Sequence, residues 1–386
     1  VILQNGLAEQ SRLVGLDAWR AALLFYGILV HAAVLIRTLP GDPLLFSVIQ
    51  STSRMARMQA FFVIAGFLAA RSIAKRGRAE WLTNRMAQLL IPLAMIWLTF
   101  QRLTDWVNTG NPFATLSMIG HLWFLVTLAG FSLLTVLAEN PGVKGAVERA
   151  ARAIDAAPRP LVIAALVALV FLATLLTQFT YMLAPPIGMK QGVYANLHPF
   201  VRTYIMVIFY ALGHLLAQCD FLARLRVRPL FAIAALAMLV YVLLYDADGY
   251  GAVQLPLVPH AAAKLLLHFA FAVAGTCFSL AVFAHARSVT RVPGYVMSLS
   301  GASYTVYLVH LFYVTVAFRV LAPVAGSHYL LFAEIVAVAA ALSLLTHRII
   351  APSPLLRLLF NGKLPPRKAG RSYVGRLTLP RRREPL

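Results

Sequence analysis

Apolar residues in this chain come in long blocks separated by short polar connections. They show neither the two-residue alternation of a half-buried strand nor the narrow stripe of a surface helix. A block of about 18 to 25 apolar residues can cross a hydrocarbon layer of about 30 Å as a helix. Such blocks occupy 16–36, 46–70, 84–104, 119–138, 160–181, 201–219, 229–245, 261–285, 295–318 and 328–349. The pattern predicts an all-α fold, a polytopic helical membrane protein with about ten transmembrane helices. Arg85 and Gln88 interrupt the start of the third block. A β-barrel is excluded, since its strands would alternate over about ten residues. The chain divides into a cytoplasmic N-terminal segment (1–15), a transmembrane domain (16–350) and a basic tail (351–386) that opens with the amphipathic piece "PLLRLLF".

Composition agrees with this: 60% of residues are hydrophobic and only 12% charged, far from the balance of a soluble domain. The net charge of +21 would suit nucleic acid if it formed one face. It does not. Lys and Arg gather in alternate connections: Arg71, Lys75, Arg76, Arg78 and Arg85 after the second block, Lys144, Arg149, Arg152 and Arg159 after the fourth, Arg224, Arg226 and Arg228 after the sixth, Arg287 and Arg291 after the eighth. The other connections hold chiefly Arg37, Arg102, Lys190, Arg202 and Arg319. The positive-inside rule then places both termini in the cytoplasm, and an even number of spans agrees. The tail, with Arg348, Arg357, Lys363 and further basic residues, reads as an anchor on anionic membrane lipids rather than a nucleic-acid site. Cys219 and Cys277 suggest neither a disulfide framework nor a metal cluster. The run from Leu16 is a full span without a small-residue cleavage pattern, so no cleavable signal peptide is expected. No inverted repeat of the transporter kind is evident.

Ionisable residues inside spans are costly unless they face protein or water, so each is a candidate site residue. In the first block Arg20 and His31 are separated by 11 positions, which leaves them about 20° apart around a helix and about 16 Å apart along it. Asp17 can pair with Arg20 at i, i+3, and Gly27 leaves room one turn before His31. The plainer reading makes His31 an interhelical link and Arg20 a boundary charge. The second block opens "STSRMARMQAFFVIAGFL". Arg54 and Arg57 there lie near the depth of His31 and suit a carboxylate, a phosphate or a developing oxyanion, or else the headgroups. Gly66 and Ala65 allow close helix approach. His121 and Trp123 in "GHLWFLV" fall at the outer end of the fourth block, where an aromatic belt also accounts for Trp123. In the ninth, Ser300, Ser303, Tyr307 and His310 lie within about 80° of arc. They form a polar stripe that either lines a path or joins helices.

The Arg20-x10-His31 spacing, "FFVIAGF" at 61–67, "SYTVYLVH" at 303–310 and the ten-span outline together resemble the acyltransferase-3 family of membrane acyltransferases. The strings "RMQAFFVIAGF", "HLWFLV", "SYTVYLVH" and "LLRLLFNGK" resemble more narrowly the group in that family that succinylates osmoregulated periplasmic glucans. The likeness covers nearly the whole chain to about residue 363. Two features depart from it: Ala65 stands where many members have Ser, and "HLWFLV" replaces a Trp-Ser-Leu motif followed by a Glu. The resemblance implies a multi-pass protein of the bacterial inner membrane that moves an acyl group from cytoplasmic succinyl-CoA to a hydroxyl of a periplasmic glucan, with no permanently bound cofactor and no metal.

On that reading His31 is the expected general base, since free histidine has a reference pKa near neutral pH. Arg20, with Asp17 beside it, would attract the donor. Arg57 would hold the succinyl carboxylate or stabilise the oxyanion. His310 and Tyr307 would orient groups or exchange protons, and Arg54, His121, Trp123 and Ser303 would contact substrates. Direct attack by the sugar is preferred to a covalent route, because no Ser or Cys lies in a nucleophile motif. Trp106, Tyr194, Phe200, Tyr250 and Tyr329 in outer connections are candidates for sugar stacking. A transporter with a polar path, or a scaffold in which buried charges only fix packing, are the rival readings. A homo-oligomer stays open, since apolar surface is expected of any lipid-facing helix and gives no clue to it.

Overall fold

A computed structural model describes residues 14–41, 44–114, 120–183, 203–245 and 260–364. Among these the protein is all-helical. Helices α1 (Val14–Ile36), α2 (Leu44–Thr52), α3 (Met58–Arg76), α4 (Arg78–Leu98), α5 (Phe100–Thr109), α6 (Trp123–Ala138) and α7 (Pro141–Ala156) form the first half. Helices α8 (Arg159–Leu183), α9 (Thr203–Leu216), α10 (Val227–Tyr245), α11 (His260–Ser288), α12 (Gly294–Leu321), α13 (His328–Ile350) and α14 (Pro354–Asn361) follow. Among the described residues nine helical segments are long and apolar enough to cross a membrane, so the chain is a multi-pass membrane protein. The sixth expected span appears as α9, whose 14 residues fall short of a crossing by themselves. The third is intact in spite of Arg85 and Gln88, running over Arg78–Thr109 with a break at Thr99. The basic connection after the fourth span is itself an amphipathic helix, α7.

Between apolar helices in lipid there is little hydrophobic drive, so close packing decides which pairs form. Gly66 of α3 and Gly213 of α9 show this most directly. A methyl at Gly66 would run into the Tyr210 carbonyl, and one at Gly213 into the Val63 carbonyl. The expected close approach at Gly66 is therefore present, with α9 as the partner. Helix α12 packs on α1 and α13, and α11 on α10 and α8. A ring cluster of Phe61, Phe62, Phe124 and Phe131 joins α3 to α6. These contacts set α1, α3, α6 and α12 around a common axis.

Candidate active site

One end of that axis is a cluster of imidazoles. The rings of His31 and His310 stand 5.2 Å apart, centroid to centroid, and those of His121 and His310 5.9 Å. His310 is 1% exposed, and its Nδ1–H donates to the Tyr307 carbonyl at 2.7 Å. That bond leaves Nε2 as a buried acceptor, and it has no hydrogen-bond partner. His121 repeats the arrangement: Nε2–H points to the Leu308 carbonyl at 3.4 Å, and Nδ1 is buried without a partner. Buried polar atoms are nearly always paired, so two such acceptors side by side suit a hydroxyl or water between them. His31 is less enclosed.

Arg57 enters from a wide π-helical turn, Ser53–Arg57, at the head of α3. Such turns are uncommon and gather at functional sites. This one is held from two sides: Gln59 Nε2 donates to the Arg54 carbonyl at 2.9 Å, and Gly275 lets α11 approach the Met55 carbonyl. The guanidinium reaches the imidazoles because position 27 is glycine. A methyl there would lie 2.7 Å from Arg57 Nη1 and 3.3 Å from His310 Nε2. The Arg57 Nε is buried without a hydrogen-bond partner. A cation and an unpaired base thus converge on one spot.

Tyr307 ties two elements together beside the cluster. Its hydroxyl donates to the His121 carbonyl at 2.8 Å, which pins the short 3-10 turn Gly120–Leu122 against α12. Trp123, two positions after His121, packs edge-on to Phe124 at 6.4 Å. Arg54 shares the wide turn with Arg57, and its carbonyl is what Gln59 secures.

At the other end of the axis lies a cavity of about 730 Å³. Arg20 and Asp17 line it and pair at 3.2 Å. Ser300 and Ser303 line it too; Ser300 Oγ–H donates to the Asp17 carbonyl at 3.0 Å, and Ser303 Oγ–H to that of Ser300 at 2.8 Å. Ala65 stands in its wall without a hydroxyl. His31, Arg57, His121 and His310 are not among its lining residues. The boundary is aromatic: Phe124 lines the cavity and packs edge-on against Tyr307 at 5.3 Å and Phe61 at 4.7 Å. The polar stripe of α12 runs past this boundary, from Ser303 in the cavity to His310 in the cluster, about 10 Å along the helix.

Several polar residues escaped the sequence reading. Arg76, Arg85 and Lys363 line the cavity, although all three read as connection or tail charges. Gln88, Asn84 and Asn361 join them. Arg102, also read as a connection charge, is 7% exposed; it pairs with Asp105 at 3.1 Å and bonds the Trp97 carbonyl. Of the aromatics expected at the outer surface, Trp106 and Tyr329 are exposed, whereas Tyr194, Phe200 and Tyr250 lie outside the described residues, as does the tail beyond 364.

The acyltransferase-3 family profile, described as an acyltransferase domain, matches residues 13–347. The match spans most of the chain, α1 to nearly the end of α13, and the protein belongs to that family. It is therefore a membrane-bound acyltransferase. No curated protein and no solved structure matches the chain.

Proposed function

We propose that the protein transfers a succinyl group from cytoplasmic succinyl-CoA to a hydroxyl of a periplasmic glucan, with the cavity facing the cytoplasm and the imidazole cluster facing outward in the bacterial inner membrane. Support for the direction comes from Arg76 and Arg85, residues of a basic connection that line the cavity. Support for succinyl comes from Arg57. A buried guanidinium discriminates an acyl chain ending in carboxylate from acetyl, because the shorter donor leaves the cation unpaired. The glucan acceptor rests on the likeness of "RMQAFFVIAGF", "SYTVYLVH" and "LLRLLFNGK" to the glucan-succinylating group.

The observation that carries the chemistry is the convergence of His31, the free Nε2 of His310 and the Arg57 guanidinium around Gly27. His31 takes the proton of the attacking hydroxyl, while His310 Nε2, fixed by its backbone bond, accepts a hydrogen bond and orients the nucleophile. The hydroxyl oxygen attacks the thioester carbonyl, Arg57 faces the oxyanion or the succinyl carboxylate, the C–S bond breaks, and the thiolate takes up a proton as free CoA. No protein nucleophile is needed; Cys277 lies on α11 and Cys219 in the connection after α9. Purified protein given labelled succinyl-CoA and a β-glucan tests this. Ester-linked label on the glucan is expected. Flux of glucan or CoA across vesicles without ester would establish a transporter instead.

A further inference from the structure

The short segment after the last span is built into the cavity. Helix α14 starts at Ser353, whose Oγ accepts from Leu356 N at 3.3 Å, and stops at Gly362 in the left-handed region, φ 60°. The stop is doubly bonded: Gly362 N–H to the Leu358 carbonyl at 2.9 Å and Lys363 N–H to that of Arg357 at 3.2 Å. Glycine is required twice over, for the positive φ and for space. A methyl at 362 would run into the Ala87 carbonyl and the Gln88 backbone of α4. The same stretch of α4 is tied to α12, since Tyr304 donates to the Gln88 carbonyl at 2.6 Å. Asn361 is buried, and its Oδ1 accepts from Thr305 Oγ1 at 3.1 Å, while His347 Nδ1 meets that hydroxyl at 3.0 Å. Phe360 packs edge-on to Phe100 at 6.2 Å. Few exposed tail segments are tied down at this many points.

The result is a cavity lined by cations from three separate elements. Arg76 comes from the end of α3, Arg85 from α4 and Lys363 from the end of the docked segment. Arg20 is the fourth cation, and Asp17, its partner at 3.2 Å, is the one carboxylate among the lining residues. Like charges gathered around a concave space repel one another, and the natural counterpart is a polyanion that enters it.

We infer that the α14 segment is a strap that completes a phosphate-binding ring, Lys363 joining Arg76 and Arg85 in the cavity wall, and that the cavity takes a phosphorylated nucleotide such as the adenosine 3′-phosphate 5′-diphosphate end of CoA. The inference rests on the proposed donor for the name of its ligand, but the ring and strap stand on geometry alone. Gly362 matters because it lets the strap seat on α4; Lys363 supplies charge; Asn361 anchors the strap to α12, the helix that carries His310.

The test is binding of adenosine 3′,5′-bisphosphate and of CoA to the full chain in detergent, by calorimetry, with acyl transfer read separately. Lys363→Glu and Arg85→Glu should each weaken both nucleotides about tenfold or more, as expected for reversal of a charge facing phosphate. Lys363→Arg should keep wild-type affinity. Gly362→Ala should weaken binding without altering any charge, by lifting the strap. If Gly362→Ala does not fold, the charge reversals decide the question. Unchanged affinity in both reversals, or no nucleotide binding by the wild-type chain, overturns the ring. Binding that follows this pattern with no ester formed would sustain the ring and strike the proposed reaction instead.

Discussion

The two ends of the axis solve opposite problems. The cavity end gathers four cations around a single carboxylate and about 730 Å³ of space, a site made by net charge and volume. The imidazole end has one guanidinium and three rings, with His310 5.2 Å from His31 and 5.9 Å from His121, a site made by atom placement. Charge-and-volume sites bind flexible polyanions and tolerate small displacements. Placement sites carry chemistry and do not, since a misplacement of about 1 Å can cost about 100-fold in rate. One aromatic layer, Phe61 and Phe124, keeps the two apart. A donor that spans both must thread its thioester past those rings, which confines the acyl group and leaves the charged end outside.

This contrast can be broken in graded steps. The largest effect is expected from Gly27→Ala, which pushes a methyl against Arg57 and His310. Glucan ester formation should fall about 100-fold while donor affinity stays put, measured by turnover and calorimetry on the same preparation. Next comes Arg57→Ala. Succinyl transfer should drop about tenfold to 100-fold more than acetyl transfer, the range for losing a charged hydrogen bond; parallel assays with the two thioesters would read it, and equal losses would assign Arg57 to the oxyanion. Arg85→Gln should raise the donor KM about tenfold and leave kcat alone, because it removes binding shared by ground and transition states. The smallest effect is that of salt. Raising ionic strength from about 0.1 M to about 1 M shrinks the screening length from about 10 Å to about 3 Å, so KM for the donor should climb several-fold and kcat should hold.

Much of the fold was legible because its signal is long: a block of twenty apolar residues has little alternative to a helix across lipid. The exception, α9, is apolar enough but only 14 residues in its described part, and α7 carries an amphipathic period in a connection where basic charge drew attention first. Within the site, Arg20, His31, Ser303 and His310 were visible through helical spacing, which holds within one helix. What spacing cannot give is the register between helices. Arg85 and Lys363 lie 278 positions apart on α4 and after α14, and only packing of Gly362 on Ala87 brings them to one cavity. Arg102 looked like a surface charge for the same reason, since nothing local announces that Asp105 and the Trp97 carbonyl fold over it. The wide turn at Ser53–Arg57 carries no local signature either; it follows from Gln59 and the approach of α11.

The most direct test separates binding from chemistry in a single variant. His31→Ala, mixed in one turnover with labelled succinyl-CoA and β-glucan, should bind the donor as the wild type does and form ester at least about 100-fold more slowly, the usual worth of a positioned base. Ester formed at the wild-type rate, or donor affinity lost along with it, would contradict the division of labour between the two ends.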